Sequence, residues 1–196
     1  MSSGLLVLAP LRIEALAARR GAPQADVFRT GMGAERSRLA AGAAASRPAR
    51  AVAVLGFCGA LDDSLEPGSV VIADELRGAG GPVRCQRLPR LEKELEDLGL
   101  ALQHGPIVSV PTAARGAERA RLAEDGSIAV DMESAWLAAA AAGRPFAALR
   151  AVVDTPSREL VRISTVVGGL KAYRALGRAA GALERWMATL PDPKET

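Results

Sequence analysis

With 196 residues, 49% of them hydrophobic and 24% charged, the chain suits one domain with a sizeable core, which excludes a disordered segment or a string of small modules. Aromatic residues make up only 3%, so Ala, Leu and Val must build that core, a composition that favours layered helix–sheet packing. The formal net charge of +3 comes with arginines scattered singly rather than gathered in a block, which argues against a nucleic-acid partner.

The first apolar run, "LLVLA" (5–9), reads as a strand and is too short for a membrane span or a signal core. A cytoplasmic chain with at most peripheral membrane contact is the expectation. A helix follows over 11–20, then a strand over 26–30 that ends in "RTGMG" (29–33) before a helix over 34–46. Glycines at such a strand end let the backbone approach a ligand, and the helix start offers free amides, with Gly33 the candidate contact. The third glycine of a dinucleotide fingerprint is missing, so a nicotinamide cofactor is not expected.

The strand over 51–56 runs into "GFCGAL" (56–61), which repeats the strand–glycine pattern at Gly56 and Gly59. Cys58 between them has no neighbouring histidine to act as a base and reads as a small buried thiol. With His104 the lone histidine and no Cys-x-x-Cys spacing, no metal and no cofactor are expected. After a strand over 69–74, the glycine- and proline-rich stretch 75–90 reads as a loop, followed by a helix over 89–99, a strand over 105–110 and a helix over 113–124.

The strand over 127–131 hands over to a helix over 133–142 through "AVDMESA", which sets Asp131 and Glu133 two residues apart. One acid is explained by the positive end of the helix. The second suits a sugar diol, because a carboxylate accepts two hydrogen bonds. The strand over 146–154 buries Arg150 in an apolar run, so that charge needs an acid, and Asp131 is the candidate. Asp154 ends the strand, where it reads either as a turn residue before Pro156 or as a buried acid able to carry a proton. An irregular connection over 154–163 leads to a terminal helix over 164–190. Alternating strands and helices make residues 1–196 a single α/β domain: a mostly parallel sheet with helices on both faces.

Taken together, "VDMESA", "RAVVD", "GFCGAL", "EPGSVVIAD" and "TGMG" resemble the nucleoside phosphorylase and nucleosidase superfamily over nearly the whole chain. The resemblance implies a three-layer αβα fold with a mixed, mostly parallel sheet. It also implies cleavage of the N-ribosidic bond of a purine nucleoside. Glu133 would then bind the ribose hydroxyls above Met132, and Asp154 would give a proton to purine N7. Arg150 and Asp131 would be a supporting pair, with Gly33, Gly56 and Phe57 around the substrate. Glu14 stands where nucleosidases activate water, whereas Arg12 resembles a phosphate-binding arginine. Water and phosphate as co-substrate therefore both stay open.

Phe57, Val153 and Ser109 depart from the family pattern around the base. The "DMES" segment is most similar to the hopanoid-associated phosphorylase branch. That implies a lipid-linked nucleoside such as adenosylhopane, with Trp136, Leu160, Val161, Val166 and Val167 as an apolar mouth or, equally, as core. A homo-oligomer is implied as well. A methylthioadenosine/adenosylhomocysteine-type hydrolase and a non-catalytic nucleoside-binding protein are the alternatives.

Overall fold

The computed structural model describes residues 4–86, 88–157 and 164–191. Every residue of β1 (Leu5–Ala9) is buried. Its side chains alternate between two cores: Leu5 and Val7 face one layer, Leu6 and Leu8 the other. That two-sided burial explains why the strand reads as a continuous apolar run.

Seven further strands join it: β2 (Asp26–Arg29), β3 (Ala51–Ala60), β4 (Val70–Arg77), β5 (Val83–Arg84), β6 (Leu102–Ser109), β7 (Ala129–Asp131) and β8 (Phe146–Asp154). The order is β2-β1-β3-β7-β6-β4-β5, with β8 pairing to both β3 and β4. Five pairings are parallel and three, β3–β7, β4–β5 and β4–β8, antiparallel. β3, β8, β4, β6 and β7 thereby close into a ring at one side of the sheet.

α1 (Arg12–Gly21), α3 (Pro89–Asp97) and α6 (Ser164–Ala188) belong to one face. α2 (Ala34–Ala45) and the short α5 (Ser134–Leu137), with the 3-10 turn Ala138–Ala141, cover the other. α4 (Ala117–Glu124) roofs a third, small cluster with Leu61, Leu122 and Val130. The protein is a single-domain three-layer αβα fold with a mixed sheet.

Several boundaries differ from the sequence expectation. The loop expected over 75–90 contains the end of β4 and the two-residue β5, a short antiparallel pair. The helix expected over 113–124 starts only at Ala117, after Gly116 at φ +48°, so residues 113–115 stay in the connection. The helix expected over 133–142 is one α turn followed by one 3-10 turn, and Ala142 and Gly143, both at positive φ, end it. Leu160 and Val161, offered as part of an apolar mouth, lie outside the described residues, as do the side chains of Val166 and Val167. Trp136 is buried against Arg38, whose guanidinium lies 5.3 Å from its ring.

Register places glycines beside charges. In the parallel β3–β8 pair, Gly56 stands next to Arg150 and Gly59 next to Asp154. α1 and α6 cross at Gly21, where an added Cβ would overlap the Gly177 carbonyl oxygen. Gly21→Ala is expected to force the two helices apart at a cost of about 1–3 kcal/mol. Thermal denaturation checks it: a melting temperature lower by several degrees is expected, and an unchanged one would show that the crossing has slack.

Candidate active site

A cavity of about 330 Å³ opens at the carboxyl ends of β3, β7 and β8. Its wall includes Glu14, Phe57, Asp131, Met132, Glu133 and Asp154 of the sequence-expected residues. Most of the remainder is apolar: Leu11, Met32, Val110, Ala113, Val130 and Val153 among them.

Arg150 organises the polar side. It is fully buried, and its Nε lies 2.8 Å from Asp131 Oδ2 and donates to Ser134 Oγ at 2.9 Å. Its Nη2 reaches Glu133 Oε2 at 3.6 Å, too long for a hydrogen bond, and has no acceptor among the described residues. Gly56 makes this approach feasible. A Cβ there would overlap Arg150 Nη1 and stand 2.7 Å from Glu14 Oε1.

The two acids of "AVDMESA" divide the work. Asp131 is saturated by protein donors: Ser109 Oγ at 2.5 Å, the amides of Glu133 and Ser134 at 3.1 and 3.2 Å, and Arg150. It caps the first turn of α5 as well as serving the arginine. Glu133 instead turns toward the cavity, and its Oε1 accepts the Gly33 amide at 3.1 Å. Gly33 has φ +92°, a conformation that glycine reaches without strain and that aims its N–H at the carboxylate. Burial raises the Glu133 pKa, and Arg150 opposes that rise.

Glu14 is 2% exposed. Its Oε2 accepts the Leu11 amide at 2.6 Å and its Oε1 the Phe57 amide at 2.7 Å, so α1 and β3 fix it from two directions. Burial pushes its pKa up to about 6, against the pull of Arg150 and of the two amides. Cys58 is likewise pushed far up by burial, which leaves its thiol protonated and inert, as the sequence reading expects.

Arg12 is not brought to the site. It is exposed at the start of α1 and absent from the cavity wall, because residues two apart on a helix point in different directions and Glu14 takes the inward one. Sequence reasoning also missed two residues. Ser109, noted only as a departure from a pattern, pairs in register with Asp131 and accepts the Ala135 amide at 2.9 Å. Arg119 on α4 is 5% exposed, and its Nη2 donates to both oxygens of Asp154 at 2.8 Å. It stands between Glu118 and Ala120 in "AERARLAE", a charged stretch that reads as a solvated helix face.

A family model described as the phosphorylase superfamily matches residues 21–165, a span that begins after Glu14 and holds Glu133, Arg150 and Asp154. The fold is similar to that of the Campylobacter jejuni 5′-methylthioadenosine/S-adenosyl homocysteine nucleosidase, at a TM-score of 0.79 and 17% identity, covering 95% of this chain and 99% of that one. Futalosine hydrolase of Helicobacter pylori gives 0.78 and 18%, covering 95% and 97%. The Streptococcus pyogenes S-adenosylhomocysteine nucleosidase, in complex with 5-methylthiotubericidin, gives 0.76 and 20%, covering 96% and 97%. At these identities the likeness establishes the fold. Among curated proteins nothing matches.

Glu14 is expected to titrate with a midpoint near pH 6, ionised above it and neutral below it. Carboxyl-carbon NMR, with Glu14→Gln to assign the signal, checks this. A midpoint at about 4.3, that of an exposed glutamate, would mean that Arg150 outweighs burial.

Proposed function

The chain belongs to the phosphorylase superfamily, and from that premise we propose that it cleaves the N-ribosidic bond of a purine nucleoside, with water as the nucleophile. The observation that carries the proposal is Glu14: a carboxylate held between two backbone amides at the cavity wall, its pKa raised to about 6 by burial. Such a group is ionised at neutral pH yet basic enough to take a proton from water, the match that general-base catalysis requires. Each of its oxygens accepts one amide and keeps further acceptor capacity for that water.

The other residues fall into place around it. Glu133 accepts the ribose hydroxyls, and Met132, also at the wall, packs against the sugar. Asp154 stands at the purine and serves its departure. As the bond to the base lengthens, positive charge develops on the ribosyl ring, and the carboxylates of Glu14 and Glu133 stabilise it. Arg150 keeps both acids in position. The reaction needs no cofactor.

The apolar wall supports a nucleoside with an apolar 5′ substituent. 5′-Methylthioadenosine is the short case and adenosylhopane the long, lipid-linked one.

Adenine release from 5′-methylthioadenosine is expected without added phosphate, and phosphate-dependent release would replace hydrolysis with phosphorolysis. No release from 5′-methylthioadenosine, adenosylhopane or inosine, with or without phosphate, would leave a nucleoside-binding protein as the reading. Because Glu14 acts in its ionised form, kcat/KM should fall as pH drops through about 6. Glu14→Gln should abolish that acid limb with about a hundredfold or greater loss of rate. Asp154→Asn should lose about 10²–10⁴ in kcat, and its melting temperature should fall because buried Arg119 loses its counter-charge. A wild-type rate in Asp154→Asn would remove Asp154 from the reaction.

A further inference from the structure

Glu133, the acid assigned above to the ribose hydroxyls, stands on a piece of chain that cannot hold its own shape. α5 has four residues, far below the roughly 12–15 at which a helix is stable by itself. Glu133 precedes it with φ −144° and ψ −37°, outside helical geometry, and its side chain gives the helix no capping hydrogen bond. The backbone that aims this carboxylate at the cavity must be fixed from outside the helix.

Two side chains fix it. Asp131 Oδ1 accepts the amides of Glu133 and Ser134, which leaves the Ala135 amide as the next orphan donor of the first turn. Ser109 Oγ accepts that amide at 2.9 Å and gives its own proton to Asp131 Oδ1 at 2.5 Å. One hydroxyl thus joins the residue two before Glu133 to the residue two after it. The directions of both bonds are set, because an ionised carboxylate only accepts and an amide N–H only donates.

The clamp rests on the sheet. Ser109 closes β6 in register with Asp131 of β7, and it is 4% exposed. Gly78, just past the end of β4, gives Ala135 its room: an added Cβ there would lie 2.7 Å from the Ala135 Cβ. Ser109 is absent from the cavity wall, so any effect it has on a ligand passes through the turn it closes.

We propose that Ser109 is a positioning residue for ribose recognition: its hydroxyl closes the turn that carries Glu133 and so places the carboxylate that accepts the sugar hydroxyls. This rests on the reading of Glu133 as the sugar-binding acid. Without the hydroxyl, the Ala135 amide loses its acceptor and Asp131 one of its donors. A displacement of Glu133 by about 1 Å is then enough to lose a hydrogen bond, which weakens steeply beyond its normal length. Asp131 keeps its contact with Arg150 Nε at 2.8 Å, so the buried charge stays paired and the fold survives the change.

The test compares two ligands that differ by one sugar hydroxyl. Equilibrium calorimetry with 5′-methylthio-7-deazaadenosine and its 2′-deoxy analogue, in which C–H replaces N7 and blocks protonation there, reads binding without turnover. The wild-type protein should bind the ribo compound about tenfold to a hundredfold more tightly, the value of one hydrogen bond to a charged acceptor. Ser109→Ala should bring that ratio to about threefold or less. Ser109→Thr, which keeps the hydroxyl, should keep the wild-type ratio.

A merely structural role for Ser109 weakens both ligands in parallel, so a wild-type ratio in folded Ser109→Ala overturns the proposal whatever the overall affinity. If Ser109→Ala does not fold, Ser109→Cys, whose thiol is a weak donor and acceptor, takes its place, and a wild-type ratio there overturns the proposal equally. A loss in Ser109→Thr as large as in Ser109→Ala overturns the assignment to the hydroxyl. A wild-type ratio near one removes Glu133 as the sugar-binding acid, and a wild-type protein that binds neither ligand overturns the nucleoside reading itself; both failures show before any Ser109 variant is made.

Discussion

A guanidinium with no exposed surface, Arg150, stands in the middle of an otherwise apolar strand, and the site is arranged around that charge. Such a group persists only where opposite charges surround it, because an unpaired ion in that setting costs several kcal/mol. Asp131 from β7, Glu133 just beyond it and Glu14 from α1 supply those charges, and all three favour its charged form against the opposing effect of burial. Three elements distant in sequence must therefore meet at one point. Gly56, beside Arg150 in the β3–β8 register, is the omission of a side chain that lets them.

The carboxylates differ in what they have left to give. Asp131 has its oxygens filled by a serine, two amides and the arginine, so it acts on the protein alone. Glu133 accepts the Gly33 amide, has the Met132 amide nearby and meets only a distant guanidinium nitrogen. Glu14 has one amide on each oxygen. Glu14 and Glu133 thus have acceptor capacity to spare, and burial has made both more basic than exposed glutamates. Reactivity here follows from how many donors each carboxylate already meets.

The fold was largely legible because two-sided burial leaves a strong mark: β1 and most of β3 and β8 are continuous apolar runs, without the alternating polar face of a surface helix. The pairing of Arg150 with Asp131 was legible for a similar reason, since a charge in an apolar strand demands a partner. Arg12 was expected at the site from its resemblance to a phosphate-binding arginine, and it is exposed and absent from the cavity wall. Once Glu14 points inward on α1, the helical turn sends a residue two positions earlier elsewhere. Ser109 and Arg119 left no comparable mark. Ser109 matters through its register with Asp131, a property of the sheet, and Arg119 has room beside Asp154 because Gly59 is its neighbour in the β3–β8 register. Neither fact is local to the residue concerned.

The charge around the cavity bears on the nucleophile. Glu14, Asp131, Glu133 and Asp154 surround it with four carboxylates, against the guanidiniums of Arg150, Arg119 and, at the exposed rim, Arg115. Arg150 and Arg119 are already engaged by Asp131 and Asp154. What faces the ligand in excess is the negative charge of Glu14 and Glu133. A phosphate dianion placed between those two would meet like charge in a poorly solvated wall, where repulsion is felt most strongly. A neutral water molecule meets no such penalty, and a ribosyl cation forming in the same place is attracted. The arrangement that makes burial of Arg150 tolerable is thus the one that supports the proposed hydrolysis over phosphorolysis.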